Sequence, residues 1–250
     1  MNSVNNFSHL VNYKHDPAIH NFSAAKQVLP FLLKLKPVDS ILDIGCGTGT
    51  WLAIAKELGV KETIGVDGVD LSPEDLKIPV DNFIKRDLTG SIDLNKKFDM
   101  LLCLEVAEHL PEEFAKTLID TLTRHSDFII FSAAIPGQGG QNHLNEQWPD
   151  YWQKLFYDKG YYPSESLRYY LWNNKQIEWW YRQNIMIYAP KDILTVLNLP
   201  ISEEVKSLIH PDLFEEKLQL IDRLNGAIER EVWTPTFKSA FKKLIKSIVH

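Results

Sequence analysis

Short apolar runs alternate with amphipathic segments along the first 190 residues. Five runs have the length and apolar content of buried strands: SILDIG (40–45), ETIGVD (62–67), NFIKRD (82–87), FDMLLCL (98–104) and DFIIFSAA (127–134). In several of the segments between them, apolar residues recur at three- and four-residue spacing, the period of one helix face. Strands buried on both faces and separated by helices predict a doubly wound, mostly parallel α/β sheet.

Helices are predicted around the first strands at 23–36, 50–58 and 111–125. Gly59 ends the second of them as a C-terminal cap, and Pro111 takes a first-turn position in the third. After the fifth strand, YWQKLFYDKGY (151–161) predicts a further helix with a glycine stop. YRQNIMIYA (181–189) is a last β-rich stretch, which ends at Pro190.

The alternation ceases beyond residue 191, which predicts a first domain, 1–190, and a helical C-terminal extension, 191–250. In the extension, apolar residues spaced by threes and fours predict an amphipathic helix over 212–232. That helix either mediates a homodimer or packs back onto the first domain. The segment TPTFKSAFKKLIKSIVH (234–250) is basic and amphipathic, a pattern of helices that rest on an anionic membrane surface or that turn lysines to solvent.

The composition is that of a globular protein, and it narrows the class of partner. The formal net charge is −6. This argues against a nucleic-acid partner, because phosphate backbones are bound by an excess of basic residues. The N-terminus lacks the basic and apolar regions of a signal peptide, and two cysteines give no disulfide framework. We therefore expect a cytoplasmic protein with buried, reduced thiols.

A glycine-rich turn follows the first strand, at DIGCGTG (43–49). Glycines at alternate positions let the chain turn tightly and let a ligand touch its amides. The spacing is GxGxG rather than the GxGxxG of nicotinamide-binding turns. Asp67 and Asp87 end the second and third predicted strands, where one can accept hydrogen bonds from ribose hydroxyls and the other from an adenine amino group. The turn and the acids together predict an adenosine site.

In pattern and order, DIGCGTG, VDGVD, RDL and FDMLLCLEVAEHL resemble the class I S-adenosylmethionine-dependent methyltransferases, and the resemblance covers residues 20–190. It implies a seven-stranded Rossmann-like sheet whose last strand, 181–189, is antiparallel. It also implies that the cofactor is S-adenosylmethionine. The residues implied to bind it are Asp43, Gly45, Cys46 and Gly47 for the methionine part, Asp67 for the ribose, Asp87 and Leu88 for the adenine, and Leu104 at the border of the site.

The segment EVAEH, directly after the fourth strand, places Glu105, Glu108 and His109 at i, i+3 and i+4, which share one face of a helical turn. This ExxEH pattern resembles the metal-binding segment of ubiquinone-biosynthesis O-methyltransferases and of small-RNA 3′-terminal 2′-O-methyltransferases, which implies Mg²⁺ or Mn²⁺. In metal-free methyltransferases with an EH motif, the glutamate only caps a helix. His143, in the loop after the fifth strand, is the candidate fourth ligand or, alternatively, a general base.

The leading hypothesis is an S-adenosylmethionine-dependent O-methyltransferase that acts on a small polar acceptor, a sugar or sugar-like metabolite. Its candidate catalytic residues are Glu105, His109 and His143, and its candidate metal ligands are Glu105, Glu108, His109 and His143. The segment HLNEQWPDYWQKLF (143–156) resembles one found in bacterial methyltransferases of surface-polysaccharide and sugar biosynthesis. The alternatives are metal-assisted methylation of RNA 3′ ends or of a quinone-like phenol, and a non-catalytic S-adenosylmethionine-binding module.

Overall fold

The computed structural model describes residues 21–232, together with Ser239 and Lys242. Seven strands of the described chain form one sheet. They are β1 (Ser40–Ile44), β2 (Glu62–Asp67), β3 (Phe83–Lys85), β4 (Met100–Leu104), β5 (Ile129–Ser132), β6 (Tyr161–Ser164) and β7 (Met186–Pro190). The described helices are α1 (Ser23–Leu35), α2 (Thr50–Glu57), α3 (Ala115–His125), α4 (Pro149–Tyr157), α5 (Ser166–Leu171), α6 (Trp179–Asn184), α7 (Lys191–Val196) and α8 (Pro211–Val232).

The strand order in the sheet is β3-β2-β1-β4-β5-β7-β6. Strands β1 to β5 pair in parallel, whereas β7 runs antiparallel to both of its neighbours, β5 and β6. The order reverses at β1 and β4, and the crevice outside the carboxyl ends of such strands is where open α/β sheets bind ligands. The predicted doubly wound sheet of seven strands, with an antiparallel last strand, is confirmed.

Apolar side chains pack on both faces of this sheet. Ile41 and Leu102 belong to a buried cluster that includes α1 and α2, whereas their chain neighbours Leu42 and Leu101 belong to a second cluster with α3 and α4. Successive residues of a strand point to opposite faces. Both faces are therefore covered, which explains why the central strands are apolar runs rather than alternating patterns.

The late part of the sheet differs from the prediction. The β-rich stretch predicted over 181–189 begins as the end of helix α6, and strand β7 starts only at Met186. Arg182, Gln183 and Asn184 are polar, yet each is at most 4% exposed, and the two carboxamides make hydrogen bonds within the protein. These polar contacts, rather than an alternating strand pattern, fix the local backbone. Strand β6, directly after Gly160, was not among the predicted strands.

The chain divides into two compact units, Met1–Leu208 and Ile209–His250. The predicted boundary near residue 190 lies before α7, which packs against β6 and β7 in the first unit. In the second unit, α8 forms over the predicted amphipathic segment 212–232. Residues 1–20 and the basic segment 234–250, apart from Ser239 and Lys242, lie outside the described residues. Within the described chain, no helix has both the length and the apolar content needed to cross a membrane.

Candidate functional site

The turn after β1 holds three glycines in the left-handed region, with φ of +80° at Gly45, +53° at Gly47 and +84° at Gly49. Glycine adopts these angles without steric cost. Two of the positions are also crowded, because a Cβ on Gly45 would lie 2.2 Å from Val106 Cγ2 and one on Gly49 would lie 2.9 Å from Ile78 Cγ1. The glycines therefore allow close packing as well as the turn, and Gly45 brings the turn against the segment after β4.

Asp67, the last residue of β2, fastens the glycine turn. Its Oδ2 accepts a hydrogen bond from the Gly47 amide (2.7 Å), and its Oδ1 accepts one from the Val69 amide (2.9 Å). Each carboxylate oxygen has a second lone pair that can accept from a hydroxyl. Asp43 is buried nearby, and this burial, followed by the charge of Asp67, raises the pKa of Asp43 well above its usual range.

The other residues predicted to bind the cofactor lie at or just beyond the carboxyl ends of β1, β3 and β4. Asp87 Oδ1 accepts hydrogen bonds from the amide and the hydroxyl of Thr89, at 2.9 and 2.8 Å. Leu88 and Leu104 are buried, and so is Cys46, whose thiol is free as predicted. Burial, followed by the charges of the neighbouring carboxylates, raises the pKa of the Cys46 thiol well above its usual range. The structure thus gathers these residues along one edge of the sheet.

The segment after β4 is not the single helical turn that the ExxEH spacing predicts. Glu105 has a φ of +54°, in the left-handed region, and only Ala107–His109 forms a 3₁₀ turn. Glu105 lies outside that turn, so the three residues do not form one helical turn, although the carboxyl groups of Glu105 and Glu108 remain in contact. The expectation of one shared helical face for all three side chains is therefore wrong.

The loop after β5 is bound to this 3₁₀ turn. The carbonyl oxygen of Glu108 accepts a hydrogen bond from the Leu144 amide (2.7 Å), and this contact brings the neighbouring residue His143 to the turn. One potential ligand atom from each of Glu108, His109 and His143 lies within 4.8 Å of the other two. Three of the four predicted metal ligands thus meet, although they come from two separate segments. The fourth, Glu105, lies outside this group.

Glu108 is fully buried, and neither of its carboxylate oxygens has a hydrogen-bond donor in good geometry among the described residues. Burial, followed by the charge of Glu105, raises the pKa of Glu108 well above its usual range, and weak contacts with the amides of Glu108 and Ala134 only partly oppose this. A buried carboxylate without donors is costly. A divalent cation held between Glu108 and the two imidazoles would compensate this cost, so the residues present fit a metal ion.

His143 is oriented by a carboxylate. Its Nδ1 lies 2.8 Å from Glu146 Oε1, and Glu146 in turn accepts hydrogen bonds from the amides of Gly137 and Gly139, each at 2.7 Å. Burial acts to raise the pKa of Glu146, but His143 and the two amides outweigh it, so this pKa lies below its usual value. A histidine held through one nitrogen presents the lone pair of the other, which is how metal-binding histidines are commonly fixed.

The two histidines of the group stand against each other. Their ring centroids are 4.9 Å apart in an edge-to-face arrangement, and His109 Nδ1 lies 3.3 Å from the carbonyl oxygen of Asn142. Gly140 leaves room for His143, since a Cβ there would lie 2.2 Å from His143 Nε2. The loop after β5 therefore has a glycine where the imidazole must pack closely.

A family comparison agrees with this fold. The family model described as a methyltransferase domain matches residues 18–180, more than half of the chain. The chain belongs to the methyltransferase-domain family. This family accounts for the glycine turn and the acids at the strand ends, which were the motifs that carried the resemblance.

Individual proteins are also similar to this chain. It is 32% identical over 118 residues to the ribosomal protein L11 methyltransferase of Thermotoga neapolitana, which covers 44% of this chain and 43% of that relative's length. Among solved structures it is similar to DesVI of Streptomyces venezuelae, with a TM-score of 0.51 and 13% identity over 71% of this chain and 100% of that one. It is also similar to the sugar N-methyltransferase KedS8 of Streptoalloteichus sp ATCC 53650, with a TM-score of 0.53 and 14% identity over 72% of this chain and 96% of that one. At these identities, the two structures show the fold alone.

The structure of this methyltransferase-domain chain also reveals site residues that the sequence did not single out. The carboxylate of Glu105 accepts hydrogen bonds from Gln138 Nε2 (3.1 Å) and Asn184 Nδ2 (3.2 Å). Gln138 and Glu146 stand in a polar loop that was already a candidate, but nothing in their spacing indicated what they contact. Asn184 had no signal, because it fell inside a predicted strand.

Proposed function

We propose that this protein transfers a methyl group from S-adenosylmethionine to an oxygen atom of a small polar acceptor, a sugar or sugar-like metabolite. The observation that carries the proposal is the position of the Glu108–His109–His143 group beside the glycine turn. Val106, two residues before Glu108, fills the space that Gly45 leaves open. A cofactor on the turn and an acceptor at the group would therefore be neighbours, as in-line methyl transfer requires.

The cofactor would supply an electrophilic methyl group on its sulfonium sulfur. The family supports this choice, and so does Asp67, whose two oxygens accept hydrogen bonds from the amides of Gly47 and Val69 and keep lone pairs for hydroxyls. The residues proposed to hold the cofactor are Asp43, Gly45, Cys46 and Gly47 at the methionine part, Asp67 at the ribose, Asp87 and Leu88 at the adenine, and Leu104 at the border.

A metal ion would hold and activate the acceptor. One carboxylate and two imidazoles, from Glu108, His109 and His143, favour Mn²⁺ over Mg²⁺, which prefers oxygen ligands alone. Bound there, the ion would lower the pKa of an acceptor hydroxyl. Three protein ligands leave coordination positions for acceptor oxygens. Glu146 would keep the His143 ring in its orientation.

His143 has a second role to be tested, that of a general base in a protein that binds no metal. Its contact with Glu146 fixes the ring in either case. The acceptor atom is also a matter for experiment. The structural neighbour KedS8 is described as a sugar N-methyltransferase, so amino sugars belong in any acceptor panel beside neutral sugars.

The test is a methyl-transfer assay with radiolabelled S-adenosylmethionine and a panel of acceptors: neutral and amino methyl glycosides, nucleotide sugars, catechol and a short RNA. Each is assayed with Mn²⁺, with Mg²⁺ and with a chelator. We expect a neutral sugar or nucleotide sugar to be methylated on oxygen, best with Mn²⁺. Glu108→Gln and His143→Ala should abolish turnover, whereas Glu113→Gln, an exposed control, should not.

Other results would overturn parts of the proposal. Methylation of amino groups alone would exclude the oxygen acceptor, and transfer to RNA or catechol alone would exclude the sugar-like acceptor. Turnover unchanged by the chelator would exclude the metal and leave His143 as the base. Cofactor binding without transfer to any acceptor would indicate a non-catalytic module.

A further inference from the structure

Glu105 lies at the end of a network of buried carboxamide side chains. It accepts hydrogen bonds from Gln138 Nε2 at 3.1 Å and from Asn184 Nδ2, which lies 3.2 and 3.3 Å from its two oxygens. Gln138, Gln183 and Asn184 are 7%, 1% and 3% exposed, whereas Glu105 is only half-buried. Amide donors thus surround the carboxylate, while the residue as a whole is only half-buried.

The contacts of the carboxamide oxygens show which groups in this network donate hydrogen bonds and which accept them. Asn184 Oδ1 accepts from Gln183 Nε2 (2.9 Å), and Gln138 Oε1 accepts from Asn184 Nδ2 (2.9 Å) and from the Ile135 amide (3.3 Å). Because the oxygens of Gln138 and Asn184 already have donors, the NH₂ groups of these two residues are the parts that face Glu105. The carboxylate of Glu105 therefore accepts the last hydrogen bonds of this network.

The backbone of Glu105 is also held in place at a cost. Glu105 adopts a left-handed conformation, with φ of +54°, which is unfavourable for a non-glycine residue. The amide of Glu105 donates to the carbonyl oxygen of Ser132 (3.0 Å) and lies 3.1 Å from its Oγ, so the end of β5 fixes the strained residue. Strain of this kind persists where the surroundings impose it, and it is common at functional sites.

Glu105 lies between the two halves of the proposed site. The pKa of Glu108, which belongs to the Glu108–His109–His143 group, is raised by burial and then by the charge of Glu105. Burial, then Glu105 and, more weakly, Asp43 raise the pKa of Tyr181. Glu105 also directly precedes Val106, which packs against Gly45 on the cofactor side, so Glu105 is close to the place where the cofactor and the acceptor would meet.

We propose that Glu105 accepts a hydrogen bond from the nucleophilic hydroxyl or amine of the methyl acceptor, and that Gln138 and Asn184 are positioning residues that hold Glu105 for this contact and outside the metal's ligand set. The inference rests on the proposed function. According to this inference, the methyl acceptor contacts the protein at two places. One of its polar groups lies at Glu108, His109 and His143, and its neighbouring nucleophilic group lies at Glu105. Acceptors with two adjacent polar groups, such as vicinal diols and amino alcohols, match this arrangement.

The first test measures Mn²⁺ affinity by calorimetry in the protein saturated with S-adenosylhomocysteine. Glu105→Gln should keep the Mn²⁺ affinity within about 3-fold of wild type, whereas Glu108→Gln should weaken it by more than about 10-fold. Equal losses in the two variants would make Glu105 a metal ligand and overturn the inference. If wild-type protein does not bind Mn²⁺, the proposed metal site is contradicted. The statement that Glu105 lies outside the metal's ligands then also fails.

The second test exchanges the donor and the acceptor between Glu105 and Asn184. The single variants Glu105→Gln and Asn184→Asp should each lower the melting temperature, since each disrupts the pair. The double variant E105Q/N184D keeps the volume, the net charge and a hydrogen bond between the two positions, but it loses the hydrogen bond from position 184 to Gln138 Oε1. The melting temperature should therefore recover in part.

Turnover on the best acceptor of the panel should not recover in the double variant. It should stay at least about 100-fold below wild type, because the carboxylate has moved to position 184 and no longer meets the nucleophile. A double variant that regains both melting temperature and kcat would show that the pair only stabilises the fold, and would overturn the inference. This result is distinct from failure of the proposed function, in which wild-type protein itself has no turnover.

Discussion

Glu146 Oε1 lies 2.8 Å from Nδ1 of His143, and the same carboxylate accepts hydrogen bonds from the amides of Gly137 and Gly139. One side chain therefore closes the loop after β5 and sets the orientation of the imidazole. The contact ties the conformation of this loop to the geometry of the metal-fitting group. A substitution of Glu146 should consequently change the affinity for a metal ion that Glu146 does not itself bind.

Glu146→Gln should weaken Mn²⁺ binding by about 10–100-fold, the usual effect of removing the carboxylate that orients a metal-binding histidine. The measurement is calorimetric titration of Mn²⁺ into the protein, with Glu113→Gln as the exposed control. The affinity of the variant for S-adenosylhomocysteine should remain that of wild type. Mn²⁺ affinity equal to wild type would show that the orientation of His143 does not depend on this carboxylate.

Asp67 should carry much of the affinity for the cofactor. Asp67→Ala should weaken S-adenosylhomocysteine binding by about 1.5–3 kcal/mol, or about 10–100-fold, the worth of lost hydrogen bonds to a charged group. Asp67→Asn separates two causes, because asparagine still offers an oxygen to the Gly47 amide but has no charge. The control is Asp70→Ala, three residues further on, where the side chain is 94% exposed. Unchanged affinity in Asp67→Ala would exclude this residue from the ribose site.

Gly45→Ala should lower the free energy of unfolding by about 3 kcal/mol, since the new Cβ combines a left-handed φ with a clash against Val106. Gly59→Ala is the matched control, because it has a φ of +95° and nothing within 4 Å of the added carbon. It should cost only the backbone strain. Urea unfolding measures both variants.

The clash at Gly45 can be relieved from the other side. Val106→Ala removes the two methyl groups that the new Cβ would meet, so G45A/V106A should be less destabilised than the sum of its single variants. Full additivity of the two changes would mean that the turn moves away from Val106 without cost.

A surface aspartate should contribute to the pH dependence of stability. Burial acts to raise the pKa of Asp99, but hydrogen bonds from the Ser40 hydroxyl and from the amides of Asp39 and Ser40, together with Lys36, outweigh it, so this pKa is lowered. A carboxylate with a lowered folded-state pKa stabilises the protein above its unfolded pKa of about 3.9. That contribution is lost as the pH falls through the folded-state value.

Asp99→Asn should therefore be less stable than wild type at pH 7, by about 1 kcal/mol. The difference should shrink as the pH falls below about 4. Urea unfolding at a series of pH values checks this, with the exposed Asp81→Asn as the control. A difference that stays constant down to acid pH would show that the charge of Asp99 does not contribute to the stability of the protein.

The sheet was predictable because its strands are contiguous apolar runs that carry their own signal. Ile41 and Leu42 are both buried, on opposite faces, and this is how a parallel strand covered on both sides appears in a sequence. Asp67 was predictable for a similar reason, since it ends such a run. Strand β6 was not, because its four residues (YYPS) lack that length and contain Pro163.

The structure brings together three of the four candidate metal ligands, but the sequence did not predict how they are grouped. Helical spacing predicted that Glu105 and Glu108 share a face, yet a left-handed residue at 105 breaks that spacing. The angle arises from contacts with Ser132, which no local pattern encodes. Asn184 reaches Glu105 across 79 positions of the chain, so a sequence without an alignment offers no route to that pair.

Calorimetric titration of S-adenosylhomocysteine into the purified protein tests the cofactor site most directly. We expect one saturable site per chain, with affinity reduced in Asp67→Ala and retained in His143→Ala, which belongs to the acceptor side. Repeating the titration with Mn²⁺ and with a chelator then tests whether the metal-fitting group acts independently of the cofactor. Absence of binding, or binding that Asp67→Ala leaves unchanged while His143→Ala abolishes it, would contradict the assignment of the glycine turn to the cofactor.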